Sequence, residues 1–249
     1  GGKLQQATAS IAALGRQRRW MEALAVLGEA EQQRLELNVI TYSAAVRACE
    51  RAGEWARAVG LLAAMLARGV LPNLITFNVL ISACAQAGRW ELGLGLLQDL
   101  QAAALEPTLI THNTLINAYG KAGLWEQAMD LVDGIGRGGL EPDLITRNAA
   151  ISACERSRQW ERALTLLLLR PPPFFAGGPP DELSYNTALG ACSKAAHWRA
   201  TLGVVSAMRS GSLQPDLVAY GVVTDACERA GDLPAGVRLA SWLAAGGVA

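Results

Sequence analysis

Apolar and polar positions along this chain alternate between two kinds of helical stretch. Between residues 74 and 108, Phe77, Leu80, Ile81 and Cys84 follow the i, i+3, i+4, i+7 spacing of one helix face. Gly88 interrupts that face, Trp90 opens a second apolar stretch, and Pro107 blocks its continuation. The same grammar recurs along the chain. Thr41, Thr76, Thr111, Thr146 and Ser184 suit the N-cap of a first helix. Gly53, Gly88, Gly123 and Gly231 suit its left-handed stop. Ala58, Ala128 and Ala163, three residues after a Trp, leave room for close helix contact. No alternating strand pattern appears.

The spacing is a period. Trp20, Trp55, Trp90, Trp125 and Trp160 recur every 35 residues, and Trp198 follows after 38; only Trp242 is out of phase. Cys49, Cys84, Cys154, Cys192 and Cys227 each precede a Trp position by six residues, with Tyr119 in the cysteine position of one repeat and Leu233 in the last Trp position. The frames are 39–73, 74–108, 109–143, 144–181, 182–216 and an incomplete 217–249, preceded by a degenerate 4–38. Two helices per frame predict about 14 helices in an all-α solenoid, because no single unit buries its apolar faces alone. The Cys and Trp positions are expected in the continuous core. Equivalent helices about 8–10 Å apart exceed the ~4.4–6.8 Å Cα separation of a disulfide, so the cysteines are expected reduced, which suits an intracellular compartment. The fourth frame departs from the pattern: Arg170-Pro-Pro-Pro-Phe-Phe-Ala-Gly-Gly-Pro-Pro ends its second helix near Leu169 and reads as a surface loop.

Composition narrows the function classes. The 249 residues are 51% hydrophobic and 18% charged, which excludes a disordered chain. Twenty-two basic residues balance 22 acidic ones, so net charge does not announce a nucleic-acid binder. The run Leu164 to Leu169 is far too short to span a bilayer. His112 and His197 are the only histidines, and no C-x-x-C, H-x-E or Walker loop is present, so no enzyme, metal site or cofactor is expected. With Gly1 first and Met21 the first methionine, the chain reads as a fragment or processed product whose targeting segment would lie upstream.

The openings VITYSAAVRAC, LITFNVLISAC, LITHNTLINAY and LITRNAAISAC, the Gly stop, the Trp-x-x-Ala second helix and the Pro-Asp ends at Pro142-Asp143, Pro180-Asp181 and Pro215-Asp216 resemble the pentatricopeptide repeat family. The resemblance covers nearly the whole chain. It implies a right-handed α-superhelix that binds single-stranded RNA in mitochondria or plastids, one base per repeat. In that family the fifth and last residues of a frame select the base. Carried over, the pairs are Thr8/Asn38, Ser43/Asn73, Asn78/Thr108, Asn113/Asp143, Asn148/Asp181 and Asn186/Asp216. The resemblance associates Thr or Ser with Asn as adenine, Asn with Asp as uracil, and Asn with Thr as a pyrimidine, giving 5′-A-A-Y-U-U-U-3′. The second residue wedges the base: Ile40, Ile75, Ile110, Ile145, Leu183 and Val218. Arg51, Lys121, Arg156, Lys194 and Arg229, with Arg16 in the degenerate unit and Gln86 as the exception, form a column near which phosphates pass in the family. Glu50, Glu155 and Glu228 precede three of these and would weaken its field. The residues leave alternatives open. Asn at the fifth position also suits a backbone hydrogen bond in the first helical turn, and the basic column also suits solvated helix ends. The runner-up function is a monomeric helical scaffold holding a protein or peptide partner in its concave face; neither reading involves a membrane.

Overall fold

The computed structural model describes residues 2–169, 175, 178–229 and 231, and the chain divides into two compact units, residues 1–118 and 119–249. The first unit holds α1 (Gly2–Arg16), α2 (Trp20–Gln32), α3 (Val39–Ala52), α4 (Trp55–Ala67), α5 (Leu74–Gln86) and α6 (Trp90–Ala102); the boundary falls within α7 (Leu109–Ala122). The second holds α8 (Trp125–Arg137), α9 (Leu144–Arg156), α10 (Trp160–Leu164), a π-helical turn (Thr165–Leu169), α11 (Glu182–Lys194), α12 (Trp198–Ser210) and α13 (Leu217–Arg229). No strand occurs among the described residues, and the fold is an all-α helical repeat. The expected fourteenth helix, with Leu233 and Trp242, lies outside the described residues, as do 170–174 and 176–177. Among the described residues no helix is long and apolar enough to cross a membrane.

In each unit a first helix packs on its own second helix and on the next first helix: α3 against α1, α4 and α5, and α11 against α9, α12 and α13. Cys49, Cys84, Cys154 and Cys192 sit at zero exposure in the first helices. Burial pushes the thiols of Cys49, Cys154 and Cys192 up to about 11 and raises that of Cys84, so all four are neutral packing groups near pH 7. Ala58, Ala128 and Ala163 are fully buried on the second helices, where a small side chain permits close approach.

Three expectations are corrected. Trp20, Trp55, Trp90, Trp125, Trp160 and Trp198 are half-buried rather than core. Each opens a second helix at its first turn, and three meet a residue of the next repeat: Arg89 lies 5.2 Å over Trp55, Arg162 5.9 Å over Trp125, and His197 4.1 Å from Trp160.

The N-cap is not the threonine but the residue three positions earlier. Asn38, Asn73, Asp143 and Asp181 have extended backbone, and their side chains accept from the backbone N–H of Thr41, Thr76, Thr146 and Ser184. The hydroxyl residue is therefore at N3, from which it reaches back to the cap, and Asp181 with Ser184 completes a capping box.

The third correction concerns the proline-rich segment. Within it Phe175 is fully buried, where a surface loop predicts exposure. The second helix of that repeat runs to Leu169 as expected, but its last stretch, Thr165–Leu169, is π-helical.

Gly53, Gly88 and Gly123 adopt the left-handed backbone expected of them, with φ of 81°, 70° and 76°. Where the corresponding turns lack glycine, Arg18, Arg158 and Ala196 take φ of 60°, 57° and 55°. A Cβ in that region carries a steric cost, and Ala196 is exposed. Ala196→Gly is expected to stabilise the protein by about 0.5–1 kcal/mol, read as a higher urea midpoint at unchanged m-value. A lower midpoint would show that this turn is not strained.

Candidate functional site

The second residue of each repeat points outward from the first turn of its first helix. Ile40, Ile75, Ile110, Ile145, Leu183 and Val218 are 54–69% exposed, although each is aliphatic. In the first unit these side chains border two clefts. One, of about 330 Å³, is lined by Ile40 and Ile75 together with Ser43, Asn73, Arg16, Arg47 and Arg51. The other, of about 380 Å³, is lined by Ile75 and Ile110 with Asn78, Arg47, Arg51 and Thr114. Each cleft thus has two apolar flanks, a hydroxyl or amide side chain, and guanidinium groups at its rim.

The fifth and last residues are joined through the N3 hydroxyl of the following repeat. Thr8 Oγ1 lies 2.8 Å from Thr41 Oγ1, which donates to Asn38 Oδ1 at 3.0 Å. Ser43 Oγ lies 2.8 Å from Thr76 Oγ1, which bonds Asn73 Oδ1 at 2.9 Å. Thr111 Oγ1 donates to Asn78 Oδ1 at 2.6 Å and lies 3.2 Å from Thr108 Oγ1. In the second unit Asn148 Nδ2 donates directly to Asp181 Oδ1 at 3.2 Å, while the one proton of the Ser184 hydroxyl is shared between Asn148 Oδ1 and Asp181 Oδ1, the latter at 2.8 Å. Burial raises the Asp181 carboxyl, but bonds from the Ser184 backbone and hydroxyl and from the Asn148 amide outweigh it and hold the carboxyl below its ordinary value. It is therefore an ionised, acceptor-only group at neutral pH.

Asn113 is buried on α7 in the first unit, and Asp143 caps α9 in the second. Asp216 accepts from the backbone N–H of Ala219 at 2.7 Å, and Asn186 Oδ1 is buried with no hydrogen-bond partner.

The basic column is uneven. Arg51, Lys121, Arg156, Lys194 and Arg229 are all exposed. Lys194 pairs with Glu155 at 2.9 Å, and Arg229 pairs with Asp225 at 2.9 Å. Glu50 is engaged by Gln86 Nε2 and Ser82 Oγ, both at 3.0 Å, so the exception in the column is matched to an acidic neighbour.

Sequence reasoning missed two groups. Arg47 lines both clefts of the first unit. It lies one turn after Ser43 and one turn before Arg51, so helical spacing marks it; a column-by-column comparison of repeats does not, because no other repeat is basic there. The bridging role of Thr41, Thr76, Thr111 and Ser184 was also missed, since its signal is a hydrogen bond across 33–36 residues.

The comparisons with known proteins agree with this architecture. The Pentatricopeptide repeat domain profile matches residues 25–87, and the PPR repeat family profile matches 72–117 and 107–156. The crystal structure of the pentatricopeptide repeat protein PPR10 from maize is similar with a TM-score of 0.76 and 26% identity, over 97% of this chain and 34% of that one. PPR10 in complex with an 18-nt psaJ RNA element gives a TM-score of 0.60 at 26% identity, over 89% of this chain and 30% of that one. The PPR domain of Arabidopsis thaliana protein-only RNase P 1, in complex with tRNA, shares the fold at 0.58 and 15% identity, over 68% of this chain and 92% of that one. No curated protein matches the chain in sequence. This chain spans about a third of the length of PPR10. Its repeat profile matches, its helical pairs and its likeness to PPR10 place the chain in the pentatricopeptide repeat family.

Proposed function

We propose that this chain binds single-stranded RNA sequence-specifically, one base per repeat, and serves organellar RNA processing, stability or translation without catalysing a reaction itself. The observation that carries the reading is the exposed aliphatic column beside linked polar pairs. A nucleobase is flat and apolar on its faces and polar at its edge. A cleft with Ile40 and Ile75 as flanks and Ser43 with Asn73 at its polar side is complementary to both features. Arg16, Arg47 and Arg51 then stand at the rim, where a backbone phosphate would lie. The RNA-bound PPR10 structure supports the class of ligand.

The proposed site is 5′-A-A-Y-U-U-U-3′, read from Thr8/Asn38 through Asn186/Asp216. Ile40, Ile75, Ile110, Ile145, Leu183 and Val218 hold the bases. Phosphate contacts concentrate at Arg51, Lys121 and Arg156, because Lys194 and Arg229 already have acidic partners. Filter binding tests this directly. The protein is expected to prefer 5′-A-A-C-U-U-U-3′ over poly-G and over duplex RNA, with a log–log salt slope of about −0.7 per phosphate neutralised. Equal affinity for all three would overturn the reading in favour of a protein-binding scaffold.

A further inference from the structure

We propose that the N3 hydroxyl of a first helix, Thr111 at Asn78 and Ser184 at Asn148, is a positioning group for the base-reading amide of the preceding repeat. Its replacement by Ala219 leaves the Asn186–Asp216 slot less able than the Asn148–Asp181 slot to tell uracil from cytosine. The inference rests on the RNA-reading function proposed above.

The two slots lie in the same unit and carry the same reading pair, Asn with Asp. They differ in what holds the amide. At Asn148 both ends are engaged: Nδ2 donates to Asp181, and Oδ1 accepts from Ser184 Oγ. Turning the amide over would set its oxygen against the Asp181 carboxylate and would take from the Ser184 hydroxyl its acceptor on Asn148. At Asn186 no such constraint exists. Ala219 is fully buried where Thr41, Thr76, Thr111, Thr146 or Ser184 stands in the other repeats, and Asn186 Oδ1 is left buried with no partner. Asp216 still caps α13 through the Ala219 backbone N–H, so the helix start is intact while the side-chain bridge is missing.

Uracil presents a donor at N3 and cytosine an acceptor. An amide locked in one orientation discriminates between them; one that turns over at little cost accepts both. Asn186 at the sixth base is therefore a relaxed position inside an otherwise discriminating array.

The test measures binding of 5′-A-A-C-U-U-U-3′ against the same oligomer with U→C at the fifth or at the sixth base. The wild-type preference for uracil is expected to be greater at the fifth base. Ser184→Ala should lower that preference about three- to tenfold, the range one neutral hydrogen bond supplies, and Ser184→Thr should retain it. Ala219→Thr should raise the preference at the sixth base by a similar factor. A threonine suits the site, because threonines occupy the equivalent fully buried positions 41, 76, 111 and 146. Unchanged ratios in Ser184→Ala and Ala219→Thr, with wild type still preferring uracil at the fifth base, overturn this inference alone. A wild type with no preference at any base overturns the proposed function and this inference with it.

Discussion

Phe175→Ala is expected to lower the stability of the protein by about 3–5 kcal/mol, the range for truncating a fully buried aromatic ring. The ring has zero exposure and lies 4.6 Å beneath the guanidinium of Arg147. Arg147 occupies a position that is Tyr42, Phe77, His112, Tyr185 or Tyr220 in the other repeats, yet it is only 2% exposed. Its Nη1 donates to the Gly178 carbonyl at 3.0 Å, its Nε has no partner, and burial lowers its proton affinity against the opposing field of Asp181. Removing Phe175 opens a cavity and takes the aromatic face from a buried cation, and the two costs act in the same direction. Arg147→Tyr restores the side-chain class of the other repeats and removes the buried charge, a replacement that is often neutral or stabilising. Combined with Phe175→Ala it is expected to cost less than Phe175→Ala alone. Urea unfolding of the three variants decides this; a loss below about 1 kcal/mol in Phe175→Ala would mean that the segment is not part of the core.

Asp181→Asn is expected to shift the Asn148 slot from uracil toward cytosine by about tenfold, equivalent to about 1.4 kcal/mol. On the proposed reading the Asp181 carboxylate, an acceptor only, orients the Asn148 amide through the bond at 3.2 Å. The uracil N3–H suits that arrangement, whereas the bare cytosine N3 meets lone pairs, a mismatch of about 1–3 kcal/mol when buried. An asparagine supplies a donor and removes that repulsion. The helix start survives, because Asn38 and Asn73 already cap α3 and α5 in the way Asp181 caps α11. Asp181 also faces Arg147, so a melting curve accompanies the binding measurement. The depressed carboxyl sets the pH dependence. A group held below its unfolded value contributes fully above that value and loses its effect only as pH falls through the folded one. The uracil preference of the wild type is therefore expected to be constant from neutral pH down to about pH 5. If the U-to-C ratio is the same in wild type and variant while both are folded, the pair does not read a base.

Much of this structure is local and so was legible in the sequence. Each first helix carries its own apolar face and its left-handed stop within one period, and a proline closes the second helix of most frames; these follow from short-range sterics and the 3.6-residue turn. The exposed aliphatics are equally visible, because the second position of a first helix turns away from the cysteine face whatever the neighbours are. The N-cap was misplaced by three residues because Asn and Thr both suit a cap. Only the backbone geometry shows that Asn38 accepts from Thr41 N–H.

The sequence by itself determined the all-α class, the helical pairs, the buried thiols and the apolar column, since each depends on residues within one repeat. The tertiary structure alone decided which polar groups meet. The Ser43–Thr76, Asn148–Ser184 and Lys194–Glu155 contacts span 33, 36 and 39 residues, and Phe175 reaches Arg147 from inside a proline-rich segment that breaks the period. Periodicity shows which face a residue occupies. It does not show the partner on the next helix, which packing supplies, and a buried polar group is stabilised or left unsatisfied by that partner alone, as Asn148 and Asn186 demonstrate.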